Sequence, residues 1–293
     1  MFLTIGVFIA VFGMRFALPL IIVAYVAGLT YIQTGSLALN DPNQYAAILT
    51  SAGPLIYTFG FTFLGLIGLN RFMNVEIEQD DDGNDMPVIY WLKWLERPLH
   101  AAGRSEHVPY FIMIVLSLIL AVTVESSEAI QVLAASIVAV AVHLGLSILG
   151  TILTEPEATD GIKNKVAGLS GLAALGQFIY LEFLDASFSL DGVIGAFAIT
   201  VLLVPIVVGL GNGAMFVRSL TVLIVRKGAL KSLPFLDHGA HWAILALAAV
   251  MAAKLFHLEL NEVATGLIGI VIIGAAFAHS VRRAKQNERL GLA

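Results

Sequence analysis

Cysteine is absent from the 293 residues, which excludes disulfides, thiolate metal sites and cysteine nucleophiles at once. Charge is scarce as well, since 13% of the residues are Asp, Glu, Lys or Arg, against about 25% in a soluble domain. Hydrophobic residues make up 58% of the chain, more apolar surface than a soluble fold can hide. With a formal net charge of -5, the protein offers no basic field to nucleic acid. No GxxxxGK[ST] loop occurs, so nucleotide hydrolysis is not built into the chain. The start, Met1-Phe2-Leu3-Thr4-Ile5, lacks the basic n-region and small-residue cleavage site of a signal peptide and runs straight into an apolar stretch.

What is present is a series of long apolar runs. A hydrocarbon core about 30 Å thick needs about 20 residues of apolar helix. Cutting the chain on that scale gives eight segments: Phe2 to Leu29, Tyr45 to Leu69, Pro109 to Val124, Ala129 to Leu153, Ser170 to Ile199, Val201 to Val225, His241 to Phe256, and Val263 to Val281. The fold class expected is therefore all-α, a polytopic membrane protein of about eight transmembrane helices in one domain, residues 1–293. Arg71, Lys93, Arg97 and Arg104 lie in the 70–108 connection, whereas the turn from Thr30 to Gln44 has no basic residue. Lys163, Lys165, Arg226, Lys227, Lys231, Arg282, Arg283, Lys285 and Arg289 mark the later inside segments, and eight crossings place both ends in the cytoplasm.

Within the 70–108 loop, EIEQDDDGNDMP resembles a calcium loop until the register is checked. With Gly83 in sixth place, Ile89 falls where a bidentate glutamate is required, so the run reads as a solvated acidic loop. The following VIYWLKWLERPLHAAG mixes Trp91, Lys93, Trp94 and Arg97 as an interfacial anchoring helix does.

The fifth segment, QFIYLEFLDASFSLDGVIGAFAIT, carries polar groups where a membrane helix should have none. Glu182, Asp185, Ser187, Ser189 and Asp191 fall near its middle, and each carboxylate there costs at least about 2.5 to 3.5 kcal/mol on insertion scales. Glu182, Asp185 and Ser189 share one face of a straight helix. Unwinding near Gly192 and Gly195 would bring both sets of groups onto one cation. Arg218, inside the apolar run GLGNGAMFVRSLTVLIV, is the natural charge partner. Arg15 stands in a similar context, AVFGMRFALPLIIV, on a segment of opposite direction, the mark of an inverted-topology repeat. Asp237-His238-Gly-Ala-His241 has a spacing that can hold a transition metal, but its place after Pro234 reads better as interfacial capping. His143 and His279 stand alone on apolar helices and read as hydrogen-bonded packing residues.

On the stretches FGMRFALPL, YLEFLDASFSLDGVIGAFAIT, GAMFVRSLTVLIVRKG and HGAHWAI, the chain resembles the TerC-like integral membrane proteins. Within them it is similar to the branch labelled by an uncharacterised domain, inside the LysE-type exporter superfamily. The resemblance implies two acidic membrane motifs, one per repeat, and links to manganese export or tellurium-ion resistance. It puts Asp185, Ser189 and Asp191 in the second motif. The chain departs from the family pattern at Val201-Leu202-Leu203, where a polar residue is common, and in starting at the point where the first acidic motif should already have passed.

These readings converge on a multi-pass protein of the prokaryotic inner or plasma membrane, expected to export a divalent cation, most plainly manganese. Its metal site would be Asp185, Ser189, Asp191 and Glu182, with Arg218 and Arg15 as charge partners. Hard oxygen ligands without thiolate suit manganese, magnesium or calcium, and the cation is substrate, not tightly bound cofactor. The rival is a non-transporting TerC-like scaffold linked to tellurium-ion resistance or to metal loading of exported proteins. An intramembrane enzyme is not expected, because Asp185 and Asp191 lie on one segment with no second acidic one. The partners expected are the lipid bilayer and the metal cation, not nucleic acid, and a homo-oligomer is compatible with the sequence. Residues 1–69 are read as the remnant of a first repeat and 170–281 as the second. On that symmetry the reading frame is expected to continue upstream of Met1.

Overall fold

The structure, a computed structural model, describes residues 17–74, 88–103, 105–154, 176, 179, 192–197, 200–226, 233–258 and 262–289. Among them every regular element is helical. The helices are α1 (Leu18–Ala27), α2 (Tyr31–Asn40), α3 (Pro42–Ser51), α4 (Gly53–Met73), α5 (Lys93–Ala102), α6 (Val108–Thr123), α7 (Ala129–Thr154), α8 (Leu203–Arg226), α9 (Leu236–Lys254) and α10 (Glu262–Arg289). Residues 192–197 form a further helical piece, so Gly192 and Gly195 stand in helix where unwinding was expected.

The first break is written in the local sequence. Gly28 takes a left-handed φ of 64°, where a Cβ would be strained. Its N–H and that of Leu29 reach back to the carbonyls of Tyr25 and Ala24, the Schellman closure of a helix. Thr30 then opens α2 with a reciprocal capping box to Gln33. The result is a bend of 104° between Pro19–Ala27 and Tyr31–Asn40. The segment from Thr30 to Gln44 is thus mostly helix, where a turn was expected. Asp41 accepts a hydrogen bond from the Gln44 N–H to start α3, with Pro42 in its first turn. The expected span Tyr45 to Leu69 is divided at Ala52, because Pro54 in the first turn of α4 lacks an N–H and cannot continue a preceding helix.

At 21 residues, α4 is about 31 Å long, a bilayer's hydrocarbon thickness, and forms the centre of the molecule. Thr62 joins Ser136 of α7, and Asn70 joins His143 of the same helix, so α4 and α7 run parallel. Thr62 also meets Ser117 of α6, while Met113 of α6 fills the space beside Gly65, so α6 runs the other way. Leu245 and Met251 of α9 lie against Gly68 and Gly60, and α9 is antiparallel to α4. On its far side α9 is antiparallel to α10, with Gly239 against Ala276 and the Phe235 N–H donating to Ser280. Phe63, Leu64, Leu66, Met113, Val132, Ala139 and Met251 form the core of this bundle. A second cluster, around Val23, Tyr45, Leu49, Ile56, Phe197 and Ile206, joins α1, α3 and the start of α8.

The distribution of polarity is inverted relative to a soluble bundle. Val122, Ile130, Ile137, Val263, Ile270 and Val271 face outward, whereas Thr58, Thr62, Ser117, Ser136 and His143 are buried. In lipid an apolar side chain gains nothing by facing inward, and interhelical hydroxyls satisfy one another. Among the described residues four helices are long and apolar enough to cross a membrane, or five if the bent α1–α2 pair counts as one span, and Val108–Thr123 and Leu203–Val217 are shorter apolar helices. The expected boundaries of α6, α7 and α8 agree with the structure to within a residue or two. Residues 1–16 of the first expected segment, and most of Ser170 to Ile199, lie outside the described residues.

Candidate functional site

The sequence-derived metal residues Glu182, Asp185, Ser189 and Asp191, together with Ser187 and Arg15, lie outside the described residues. Arg218 stands in the second half of α8, and its side chain is likewise outside the description. What the structure does place is the flanks of the acidic stretch. Ile179 packs against the α4–α6–α7–α9 core. Val193, Ile194 and Phe197 belong to the second cluster, with the Phe197 ring 5.4 Å from that of Tyr45. The two flanks of the acidic stretch therefore pack against different clusters, which meet along α4 at Ile56 and Tyr57.

His143, expected to be a packing residue, is a hydrogen-bonded one. Its Nδ1 lies 2.9 Å from the Tyr110 hydroxyl on α6, and its Nε2 lies 3.4 Å from Asn70 Nδ2 on α4. Asn70 in turn accepts from Asn74 at 2.9 Å. A buried polar ring in a membrane bundle is thus satisfied by side chains from two neighbouring helices, and it clamps α4, α6 and α7 together.

Among the described residues the most completely built polar site is at the end of the bundle where Arg71, Lys93, Arg97, Arg282 and Arg283 gather, the end that the sequence leads one to expect on the inner side. At its centre is Glu96 on α5, 1% exposed. The Trp91 backbone N–H donates to Oε2 at 2.8 Å, and the Trp242 indole N–H donates to Oε1 at 3.0 Å. His238 Nδ1 lies 3.0 Å from Oε2, close enough for an ion pair although off the line of a hydrogen bond. Burial by itself pushes the Glu96 carboxyl up. The close approach of His238 and the Trp242 indole donor outweigh it and hold the group below its ordinary value. Around this carboxylate Trp242 packs against Phe72 with centroids 4.9 Å apart and ring planes tilted by 32°. The Trp91 indole donates to His279 of α10 at 2.8 Å.

Beside it, Asp237 in the first turn of α9 receives the Arg71 side chain at 2.6 and 2.7 Å. His241 Nδ1 meets the Asp237 carbonyl at 2.9 Å. The Asp237-His238-Gly-Ala-His241 motif therefore ties the start of α9 to α4 and α5, whereas capping was expected and no side chain caps this helix. Among the described residues no group of three His, Asp or Glu is placed to hold a metal ion. Sequence reasoning missed Glu96, yet a signal was available. At helical spacing Glu96 shares a face with Leu92, Leu95 and Leu99, and an acid on the apolar face of an interfacial helix requires a buried partner.

A bundle with lipid-type polarity and helices of bilayer length defines the class: a polytopic α-helical membrane protein. Residues 1–287 match the family described as "Protein of unknown function (DUF475)", and the chain belongs to that family. Neither a curated protein nor a solved structure matches.

Proposed function

We propose that the protein is a membrane transporter that exports a divalent metal cation, manganese in the first instance, through a carboxylate and hydroxyl site at Glu182, Asp185, Ser189 and Asp191. The observation that carries this reading is the occurrence of three carboxylates in ten residues of a membrane-length apolar segment, a placement whose cost calls for a functional return. The packing of that segment's flanks against two clusters on either side of it supports the reading, since it holds the acidic stretch between packed helices. The antiparallel and parallel pairings of α4, α6, α7, α9 and α10 are consistent with the eight crossings expected from the basic residues. In this reading residues 170–281 form one repeat, residues 1–69 belong to an inverted partner, and Arg218 and Arg15 neutralise the acids when no cation is bound. The likeness to TerC-like proteins points the same way.

The test is flux in liposomes loaded with a manganese-sensitive dye. Protein containing Asp185→Asn or Asp191→Asn should insert normally and move no manganese. A wild-type protein that binds manganese without moving it would favour the scaffold reading. Undiminished flux in both single variants would remove the site assignment.

A further inference from the structure

The amphipathic helix α5 is built inside out. Its inner face, Leu95, Glu96, Leu99 and His100, holds a fully buried carboxylate. Its outer stripe, Lys93, Trp94, Arg97, Pro98 and Ala101, is exposed. Trp94 is 75% exposed, and two cations flank it at helical spacing. A helix facing plain water gains by burying its indole and exposing its carboxylate. Here the carboxylate is held inside by Trp91, Trp242 and His238, which fixes the outer stripe in one orientation.

Other features say what covers that stripe. Arg97 lies over the Tyr90 ring at 5.9 Å, and among the described residues neither Lys93 nor Arg97 has an acidic partner in an ion pair. The Trp91–His279 bond joins α5 to α10, and the next turn of α10 adds exposed Arg282. The surface is positive and aromatic with no exposed acid on the α5 stripe, at the depth where apolar helices end. Indoles prefer the membrane interface, and phosphates of anionic lipids attract juxtamembrane cations.

We propose that the outer stripe of α5, Lys93, Trp94 and Arg97, is a binding face for the headgroups of anionic phospholipids in the cytoplasmic leaflet. Such lipids concentrate there and hold α5 flat against the bilayer, so that membrane charge is read by a helix pinned directly to α4 and α9. This proposal is independent of the transport reading.

The experiment uses the full-length protein in nanodiscs of phosphatidylcholine, with a minor share of either brominated phosphatidylglycerol or brominated phosphatidylcholine. Bromine at contact distance quenches tryptophan. The Trp94 contribution is obtained by difference from Trp94→Phe. Phosphatidylglycerol should quench Trp94 in clear preference to phosphatidylcholine at equal bromine content. Lys93→Gln with Arg97→Gln should reduce that preference roughly thirty-fold, equivalent to about 1 kcal/mol for each basic residue near a charged surface. Both positions are exposed, so the fold should survive. If it does not, loss of the preference in wild-type protein at high salt supports the proposal and its persistence overturns it. Equal quenching by the two lipids overturns the proposal, as does an undiminished preference in the double variant. Displacement by inorganic phosphate, beyond what chloride of equal ionic strength achieves, also overturns it in favour of a free-anion site.

Discussion

Replacing Glu96 with leucine removes one carboxylate and leaves one buried and two half-buried partners facing an apolar side chain. The Trp91 N–H and the Trp242 indole each lose a hydrogen bond of 2.8 to 3.0 Å, and His238 Nδ1 loses its carboxylate contact at 3.0 Å. A buried polar group left without its partner costs about 1 to 3 kcal/mol. The three losses overlap at a single carboxylate, so about 3 to 5 kcal/mol is the expected total. The loss falls on the docking of α5, because its remaining inner contacts come from Leu95 and Leu99, both only half-buried. The α4–α6–α7–α9 core does not pass through Glu96 and should stay intact. Amide hydrogen exchange in nanodiscs separates the two effects. Exchange across residues 93–102 should accelerate between about a hundred-fold and a few thousand-fold, at 1.36 kcal/mol per decade, while residues 60–68 keep their protection. If exchange in 93–102 is unchanged in Glu96→Leu, the carboxylate is not what holds the helix and the reasoning fails. Glu96→Gln, which keeps one acceptor oxygen, should fall between the two.

The pH dependence of the same contact follows from its sign. Because the Glu96 carboxyl is held below its ordinary value of 4.5 in the folded protein, its contribution is fully present above that pH and is lost as pH falls from 4.5 through the lower folded value. The protection factor of residues 93–102, with the intrinsic fall of exchange with pH divided out, should therefore drop below pH 4.5 in wild type and stay flat in Glu96→Leu. At the α9–α10 contact, a Cβ on Gly239 would collide with the Ala276 Cβ. Gly239→Ala should destabilise by about 1 to 3 kcal/mol, and Ala276→Gly should recover part of the loss, read as a double-mutant cycle in denaturant titration. In the core, Thr62 bridges Ser117 and Ser136 at 3.3 Å each, whereas among the described residues the buried Thr58 hydroxyl finds no hydrogen-bond partner. Thr62→Val should cost about 1 kcal/mol at about 0.6 kcal/mol per interhelical bond. Thr58→Val should be neutral or stabilising, and a greater loss there than at position 62 would contradict the network.

The membrane class and several helix boundaries were legible in the amino-acid sequence, because bilayer thickness sets a length that apolar runs must meet regardless of their neighbours. The α6–α7 boundary at Glu125-Ser126-Ser127-Glu128 is of this kind, since four polar residues cannot continue a span. Local chemistry also determined the stops at Gly28 and Asp41, although a reading tuned to twenty-residue runs passed over α2 and over the break at Pro54. The acidic stretch from Glu182 to Asp191 was legible as costly and therefore informative, again from transfer energies that depend on composition alone. The packing partners were not legible. That His143 bridges Tyr110 and Asn70, that Thr62 meets Ser117 and Ser136, and that Glu96 is enclosed by Trp91, Trp242 and His238 all depend on contacts between residues 33 to 146 positions apart, with Trp91 the local exception. Periodicity tells which face of a helix is polar. Only the tertiary structure decides which other helix that face meets, and so whether a buried charge such as Glu96 is a liability or a pin.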